Sequence, residues 1–176
     1  CDSGAFLRAV RRAAHRYPRG RWRLRLLLDA RGAVTVTVEP FHAPPSPPTP
    51  RVAFSRTRVR SDDPLLRHKT TDRTLYDGEL SRARHHGLTD VLFTNERGEV
   101  TEGCIHNVFI EREDRLFTPP VSCGLLNGVM RRFILRTSPH ATERVLTPDD
   151  VRSADAVYLS NAVRRFIRAE LVNEEH

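Results

Sequence analysis

The sequence predicts an α+β fold, in which helices and strands are mixed without a repeated β-α-β unit. Short apolar segments with the two-residue alternation of strands recur along the chain. Segments with helical spacing lie between them in no regular order. No internal repeat is visible, and neither a GxGxxG nor a GxxxxGK[ST] motif occurs, which argues against a Rossmann-like sheet.

The first forty residues predict one helix and one hairpin. Apolar residues at helical spacing favour a helix at 5–17, which Pro18 and Gly20 end. Residues 22–28 and 34–38 alternate around a glycine-containing turn, as in a hairpin. Because so little structure cannot bury a core alone, residues 1–40 are interpreted as the C-terminal remnant of a small domain. The chain opens on Cys1, so we expect a piece of a longer protein.

A proline-rich segment separates this remnant from the main body. Six of the twelve prolines fall between Pro40 and Pro50, a density that neither helix nor strand tolerates. Residues 41–50 are therefore predicted to be a linker, and residues 51–176 a large domain.

The large domain is predicted to contain alternating short elements. In chain order these are a strand at 51–59, a helix at 71–86 ended by Gly87, strands at 90–94, 99–101, 105–110 and 115–118, a helix at 128–136, a short strand at 145–146, a helix that begins at 147–150, and a strand at 156–159 followed by a mixed segment.

Composition and charge argue against several classes of function. The net charge of +7 comes from arginines spread over every segment and interspersed with 22 acidic residues, which does not indicate nucleic-acid binding. No apolar run is long enough for a membrane span, and no signal-peptide pattern is visible. Three cysteines without metal-ligand spacing, and histidines without an HxxxH pair, predict a reducing, cytoplasmic setting and no metal site.

The most informative residue is Lys69. The chain has one lysine and 28 arginines, so arginine stands wherever a positive charge alone is needed. Arginine cannot act as a nucleophilic amine, because the guanidinium does not deprotonate in proteins. Lys69 is thus a candidate for covalent chemistry through a Schiff base, although a surface lysine retained by chance is the alternative.

Two further features lie at predicted turns, where functional sites are common. The first is the corner 101–107, in which Glu102 and Gly103 stand between apolar strands. The second is the segment 123–131, where an apolar pair precedes Asn127-Gly128 and a helix N-terminus that is suited to anions.

An amine, a carboxylate and an anion site together match the requirements of pyridoxal phosphate. The amine links the aldehyde, the carboxylate keeps the pyridine nitrogen protonated, and the amides hold the phosphate. Taken singly, Glu102 is more commonly a surface acid of a hairpin, the leucine pair a core element, and Asn-Gly a plain helix cap. Read jointly with Lys69, they favour a cofactor site.

The motifs at 69–73 (KTTDR), 95–107 (NERGEVTEGCIHN) and 118–131 (TPPVSCGLLNGVMR) closely resemble the fold-type IV pyridoxal phosphate enzymes. These include branched-chain and D-amino acid transaminases and aminodeoxychorismate lyase. The likeness runs in order across residues 51–176 and implies the D-amino acid aminotransferase-like fold. It is greatest to aminodeoxychorismate lyase, and to the lyase-like domain fused behind aminodeoxychorismate synthase component I.

The resemblance implies a role for each matched residue. Lys69 would be the catalytic lysine that holds the cofactor and carries protons, and Glu102 would pair with the pyridine nitrogen. Leu126 would pack on the ring, while the amides of Val129 and Met130 would bind the phosphate. The other cofactor-binding positions that it implies are Asn107, Gly128 and, at a second phosphate-contacting turn, Asn161 and Ala162.

Three departures from the family pattern are visible. Met130 stands where many transaminases carry a hydroxyl residue, so that only its backbone amide could serve. The tyrosine found a few residues after the transaminase lysine is replaced by Arg73 and Thr74, as in the lyases. The phosphate-binding arginine and the substrate-binding groups of the small domain would precede residue 1.

The expected activity is that of a 4-amino-4-deoxychorismate lyase, which yields 4-aminobenzoate, a folate precursor, and pyruvate. The alternatives are a class IV aminotransferase of the branched-chain or D-amino acid type, and a truncated, non-catalytic domain. The resemblance implies a small-molecule substrate and a homodimer, with aminodeoxychorismate synthase component I, fused or separate, as a candidate partner.

Overall fold

A computed structural model of the chain describes residues 3–42 and 48–172. The fold consists of two compact units, residues 1–47 and 48–176. Half of the predicted linker, residues 43–47, lies outside the described residues.

The first unit contains a helix and a two-stranded antiparallel sheet. Helix α1 spans Ser3–Arg16, and strands β1 (Trp22–Leu28) and β2 (Val34–Pro40) pair from Leu28↔Val34 to Trp22↔Pro40. The turn between the strands is fixed by Asp29, whose carboxylate accepts the N–H groups of Arg31 and Ala33 at 2.9 and 2.8 Å. The elements agree with the sequence prediction, whereas the interpretation as the remnant of a small domain stays a prediction.

The second unit is built on an eight-stranded mixed sheet with three helices. The strands are β3 (Arg51–Val59), β4 (Asp90–Asn95), β5 (Val100–Gly103), β6 (Asn107–Arg112), β7 (Arg115–Thr118), β8 (Ala141–Glu143), β9 (Ala156–Asn161) and β10 (Arg165–Leu171). The helices are α2 (Thr74–His85), α3 (Val129–Thr137) and α4 (Pro148–Arg152).

The order of the strands in the sheet is β5-β4-β3-β10-β9-β6-β7-β8. Strands β3 and β4 are parallel and are connected through α2, which makes one β-α-β crossover. The pairs β3–β10 and β7–β8 are also parallel, while the other neighbours are antiparallel. Strands β7 and β8 are connected through α3, which makes a second crossover, and strands β5 and β6 separate the two crossovers in the chain. Two separate crossovers in a mixed sheet agree with the predicted α+β class.

Two apolar clusters form the core of the second unit. One packs against α2 and includes Leu80, Ala83 and Phe93. The other includes Leu92, Val108 and Val151, the last of which belongs to α4. Because side chains alternate along a strand, Leu92 and Phe93 of β4 join different clusters. The central strands are thus buried on both faces.

The structure corrects two sequence predictions. The predicted strand at 145–146 is wrong: the strand lies at Ala141–Glu143, where it pairs with β7. Leu146 is instead a core residue whose carbonyl accepts the N–H of Val100 at 2.7 Å. The mixed segment after residue 159 contains β10, which the sequence did not predict. In the part of the chain that is described, no helix is long and apolar enough to cross a membrane.

Candidate active site

The segment that carries Lys69 is anchored to the hairpin of β4 and β5. Lys69 is exposed and follows a short 3-10 turn at Pro64–Arg67. Ahead of this turn, the backbone N–H and hydroxyl of Ser61 donate to the carboxylate of Glu96 at 2.8 and 2.6 Å. Since Glu96 lies in the β4–β5 turn, the chain entering the Lys69 segment is held against that hairpin.

The same hairpin is tied to the segment that precedes α3. The side-chain N–H of Asn95 donates to the carbonyl of Cys123 at 3.0 Å. Gly124 has φ +88, and a Cβ there would lie 2.6 Å from the Cα of Ser61, so a larger residue could not be placed without movement. The three segments that the sequence singled out therefore lie side by side.

Glu102, the acid that the sequence analysis singled out, lies near the end of β5. It is buried, with 7% of its surface exposed. Its Oε1 accepts the N–H of Leu126 at 3.1 Å and the hydroxyl of Tyr76 at 3.4 Å. Its Oε2 accepts the side-chain N–H of Asn107 at 3.1 Å. The carboxyl group thus faces hydrogen-bond donors from three parts of the chain.

Burial is the dominant influence on the ionisation of Glu102. It raises the pKa of the carboxyl group to about 8, although the N–H of Leu126, the hydroxyl of Tyr76 and the charge of Lys69 act in the opposite direction. A carboxyl group with this pKa is protonated at neutral pH until a cation is placed beside it. The arrangement suits a partner that brings a positive charge.

Asn107 and Gly128 complete the wall beside Glu102. The amide of Asn107 donates to both Glu102 and the carbonyl of Leu126, the latter at 2.8 Å. A Cβ on Gly128 would overlap Oδ1 of Asn107. The absence of a side chain at Gly128 therefore permits the close approach of the segment before α3 to β6.

We expect Gly128→Ala to weaken this wall. The added methyl group would push Asn107 away from Glu102, and we expect a loss of about 1–3 kcal/mol in the free energy of unfolding. The matched control is Gly78→Ala in α2, where no heavy atom lies within 4 Å of the added Cβ and the higher helix propensity of alanine should stabilise slightly. Urea denaturation of both variants measures the difference, and equal stabilities would contradict the prediction.

The turn from Glu102 to Asn107 is organised by Asp90. This carboxylate is completely buried and accepts the N–H groups of Cys104 and Ile105 at 2.8 and 3.2 Å. It also lies 2.8 Å from Nδ1 of His106. A buried carboxylate with several N–H partners fixes the backbone of the turn, and with it the direction of Glu102.

The predicted phosphate-binding residues lie at two chain corners. Val129 and Met130 open α3, whose preceding residue, Gly128, supplies no side-chain cap to the first amide groups. Asn161 ends β9, donates to the carbonyl of Ile105 at 3.2 Å and leads into the exposed Ala162. The structure thus joins the second corner to the Glu102 turn, while the assigned cofactor roles stay predictions.

Tyr76 and Arg73 were not among the site residues predicted from the sequence. Tyr76 is the third residue of α2 and reaches Glu102, although it stands just beyond Arg73 and Thr74, where the family's tyrosine was sought. Arg73 donates to the carbonyl of Cys104 at 2.8 Å. Because Lys69 lies ahead of α2 and not in it, helical spacing gave no signal for the contact of Tyr76 with Glu102.

Comparison with known proteins agrees with this geometry. The sequence profile of the family described as amino-transferase class IV matches residues 1–172. A Schizosaccharomyces pombe protein with a provisional assignment as an aminodeoxychorismate lyase is 30% identical over 154 residues, which cover 85% of this chain and 67% of that protein. A Thermotoga maritima protein with the provisional name of a branched-chain-amino-acid aminotransferase is 28% identical and covers 81% of this chain, but only 54% of its own length is matched.

Comparison with a solved structure supports the same fold. A Mesorhizobium loti protein provisionally described as an amino-acid aminotransferase superposes with a TM-score of 0.84 at 36% identity, over 93% of this chain and 80% of that one. The chain belongs to the class IV aminotransferase family. Enzymes of this family depend on pyridoxal 5'-phosphate, so the predicted cofactor and fold class are confirmed.

The residues present fit this cofactor. The buried Glu102 carboxyl group faces hydrogen-bond donors and suits the protonated ring nitrogen. Because Gly128 has no side chain, the segment that leads into α3 can lie close to Asn107. Lys69 is an exposed residue whose charge lowers the pKa of Glu102. No group of three or more side chains suited to a metal occurs within residues 3–42 and 48–172.

The raised pKa of Glu102 predicts a pH-dependent stability of the cofactor-free chain. Its folded pKa of about 8 exceeds the ordinary value of 4.5, so between these pH values the folded state keeps a proton that the unfolded state has lost. The free energy of unfolding should therefore fall, by a few kcal/mol at most, as the pH rises from roughly 4.5 to 8. Urea denaturation at several pH values should show a flatter profile for Glu102→Gln than for the parent chain. An unchanged slope in that variant would rule out this assignment.

Proposed function

We propose that the chain is a pyridoxal-phosphate-dependent lyase that converts 4-amino-4-deoxychorismate to 4-aminobenzoate and pyruvate. The observation that carries the cofactor-dependent part is the buried Glu102, surrounded by hydrogen-bond donors and influenced by the charge of Lys69. The choice of reaction is supported by the similarity to the Schizosaccharomyces pombe protein and by Arg73 and Thr74, which occupy the neighbourhood where transaminases of the family carry tyrosine.

Five of the predicted site residues have a defined task in this proposal. Lys69 and Glu102 would hold the cofactor at its aldehyde and its ring nitrogen, and Leu126 would cover one face of the ring. The first amides of α3, at Val129 and Met130, would hold its phosphate. When bound, the cofactor supplies an electron-accepting ring joined to the amine of the substrate.

The proton transfers fall to Lys69. Its amine would take the proton from the ring carbon that bears the nitrogen, and the bond between the neighbouring ring carbon and the enolpyruvyl oxygen would then break. Protonation of the released enolpyruvate at its CH2 carbon gives pyruvate. Loss of the proton and of the enolpyruvyl group together forms the third double bond of an aromatic ring, which favours the elimination. Glu102 would keep a negative charge opposite the ring nitrogen throughout.

Amino transfer to a 2-oxo acid is the second candidate. It is favoured by the 36% identity to the Mesorhizobium loti protein, and it requires the same groups in its first half. An assay with 4-amino-4-deoxychorismate decides between the two reactions. Pyruvate and 4-aminobenzoate formed without an added oxo acid support the lyase, whereas turnover of amino acids that strictly requires an oxo acid contradicts it.

The assembly of the protein is part of the proposal. Members of the family are homodimers that act on small molecules, and we propose the same for this chain. The chain matches 67% and 54% of the length of the two curated relatives, so activity is to be tested both on these residues and on a longer form. A partnership with aminodeoxychorismate synthase component I and a cytoplasmic location stay predictions.

A further inference from the structure

The turn between Glu102 and Asn107 is held from two sides. Asp90 of β4 accepts hydrogen bonds from the N–H groups of the turn, as described above. The carbonyl groups of the turn accept from side chains elsewhere: Arg73 donates to the carbonyl of Cys104, and Asn161 donates to that of Ile105. A turn with both its N–H and carbonyl groups bound has little freedom to change the direction of the residues that flank it.

Arg73 is distinguished by its place in the chain. It lies four residues after Lys69 and immediately before α2, and its side chain is only 23% exposed. Besides the bond to Cys104, it pairs with Asp77 at 3.1 Å on the exposed side of the helix. One side chain therefore connects the Lys69 segment, the start of α2 and the Glu102 turn.

The guanidinium also lies against the ring of Tyr76. Its central carbon is 5.4 Å from the centre of that ring, within the range of a cation–π contact. The same ring contacts Phe93, which packs edge-on at 5.2 Å between ring centres. Tyr76 is thus in contact with both a core phenylalanine and Arg73, with its hydroxyl donating to Glu102.

We propose that Arg73 is a positioning residue that couples the Lys69 segment to Glu102, by holding both the Cys104 carbonyl and the ring of Tyr76. The importance of this coupling rests on the proposed function, because there Lys69 moves the protons and Glu102 pairs with the ring nitrogen. It concerns residues that need not touch the cofactor. Arg73 is also one of the two residues at which the chain departs from the transaminase pattern, and the proposal assigns it a role.

The coupling can be measured at the carboxyl group itself, without any cofactor. The charged or ionisable side chains that act on Glu102 are Tyr76 from α2, Lys69 from the segment before it and Asp90 from β4. The hydroxyl of Tyr76 favours the ionised carboxylate, so misplacing or removing it should raise the pH at which Glu102 titrates. Hydrogen bonds to charged groups commonly change such an equilibrium about tenfold, which is about one pH unit.

The experiment is a pH titration of the chain with carbon-13-labelled glutamate side chains, followed by NMR, with Glu102→Gln identifying the resonance. Arg73→Met and Tyr76→Phe should each raise the midpoint by about one unit. The double variant should raise it by clearly less than the sum, because Arg73 acts in part through Tyr76. Arg73→Lys, which keeps the charge and loses the two-pronged geometry, should give an intermediate midpoint.

Two matched controls remove similar groups without disturbing the turn. Asp77→Asn removes only the exposed ion pair of Arg73. Tyr158→Phe removes a hydroxyl that donates to Glu111 at 2.5 Å, away from the site. Both should leave the midpoint unchanged.

The proposal is overturned if Arg73→Met leaves the midpoint of the parent chain, or if its effect adds fully to that of Tyr76→Phe. Should Arg73→Met not fold, a parental midpoint in Arg73→Lys overturns it equally. A different result would show that the proposed function is wrong and the coupling correct: the midpoints would shift as expected, but borohydride treatment would trap no pyridoxal phosphate on Lys69.

Discussion

Replacing Lys69 by arginine is expected to abolish covalent capture of pyridoxal phosphate and to lower the rate of turnover by roughly 10²–10⁴-fold. Arginine keeps the charge that acts on Glu102, but it supplies no amine that can lose a proton at neutral pH. The parent chain should show a visible absorbance band with the cofactor. Borohydride reduction and peptide mapping should place the label on Lys69.

A relocated lysine provides the control for this experiment. Arg67 is exposed and lies two residues before Lys69, in the 3-10 turn. Arg67→Lys alone should leave the label on Lys69, and the combination with Lys69→Arg should restore little of it, because the new amine starts from a different backbone position. Equal labelling of the parent chain and of Lys69→Arg would refute the assignment of this lysine.

Replacing Glu102 by glutamine is expected to give the second-largest effect, a loss of about 10²–10³-fold in turnover. The amide preserves the size of the side chain and can still accept the N–H of Leu126, but it cannot carry the negative charge that a protonated ring nitrogen requires. Labelling of Lys69 should persist in this variant. The defect should therefore appear in the rate of turnover rather than in attachment.

The control is Glu111→Gln on β6. Glu111 is a partly buried glutamate that, like Glu102, accepts a tyrosine hydroxyl, here from Tyr158, but it lies outside the site. Its variant should retain the parental rate. Nitrogen-15-labelled cofactor gives a direct reading, since the ring nitrogen should lose its proton at a lower pH in Glu102→Gln. A ring nitrogen equally protonated in both chains would show that another group carries the charge.

Local sequence patterns were sufficient for most elements of the fold. The hairpin of β1 and β2 was predicted because apolar alternation surrounds a turn that Asp29 and Gly32 favour. Strand β10 was missed because charged residues interrupt it, and its partners β3 and β9 are far apart in the chain. The apolar pair at 145–146 was taken for a strand, but burial of Leu146 serves the core through a loop.

The site was predictable to the extent that residue type dictates chemistry. Lys69 was found because it is unique, and Glu102 because a carboxylate stood in a corner between apolar strands. Asp90, Arg73 and Tyr76 could not be ranked, because their importance comes from contacts with distant parts of the chain. Periodicity identifies faces of a helix, but it does not say which carboxylate a tyrosine will meet.

The central position of β10 has a consequence for the order in which the site is assembled. Glu102 lies on β5, on one side of β10 in the sheet, whereas Asn107 and Asn161 belong to β6 and β9 on the other side. Strand β10 follows all the others in the chain, yet it joins the two half-sheets. During synthesis, every residue of the candidate site would leave the ribosome before the strand that unites them. A nascent chain would thus carry all of the site's chemical groups and could form the turn from Glu102 to Asn107, while the two half-sheets on which these groups lie would be joined by strand pairing only when β10 is added.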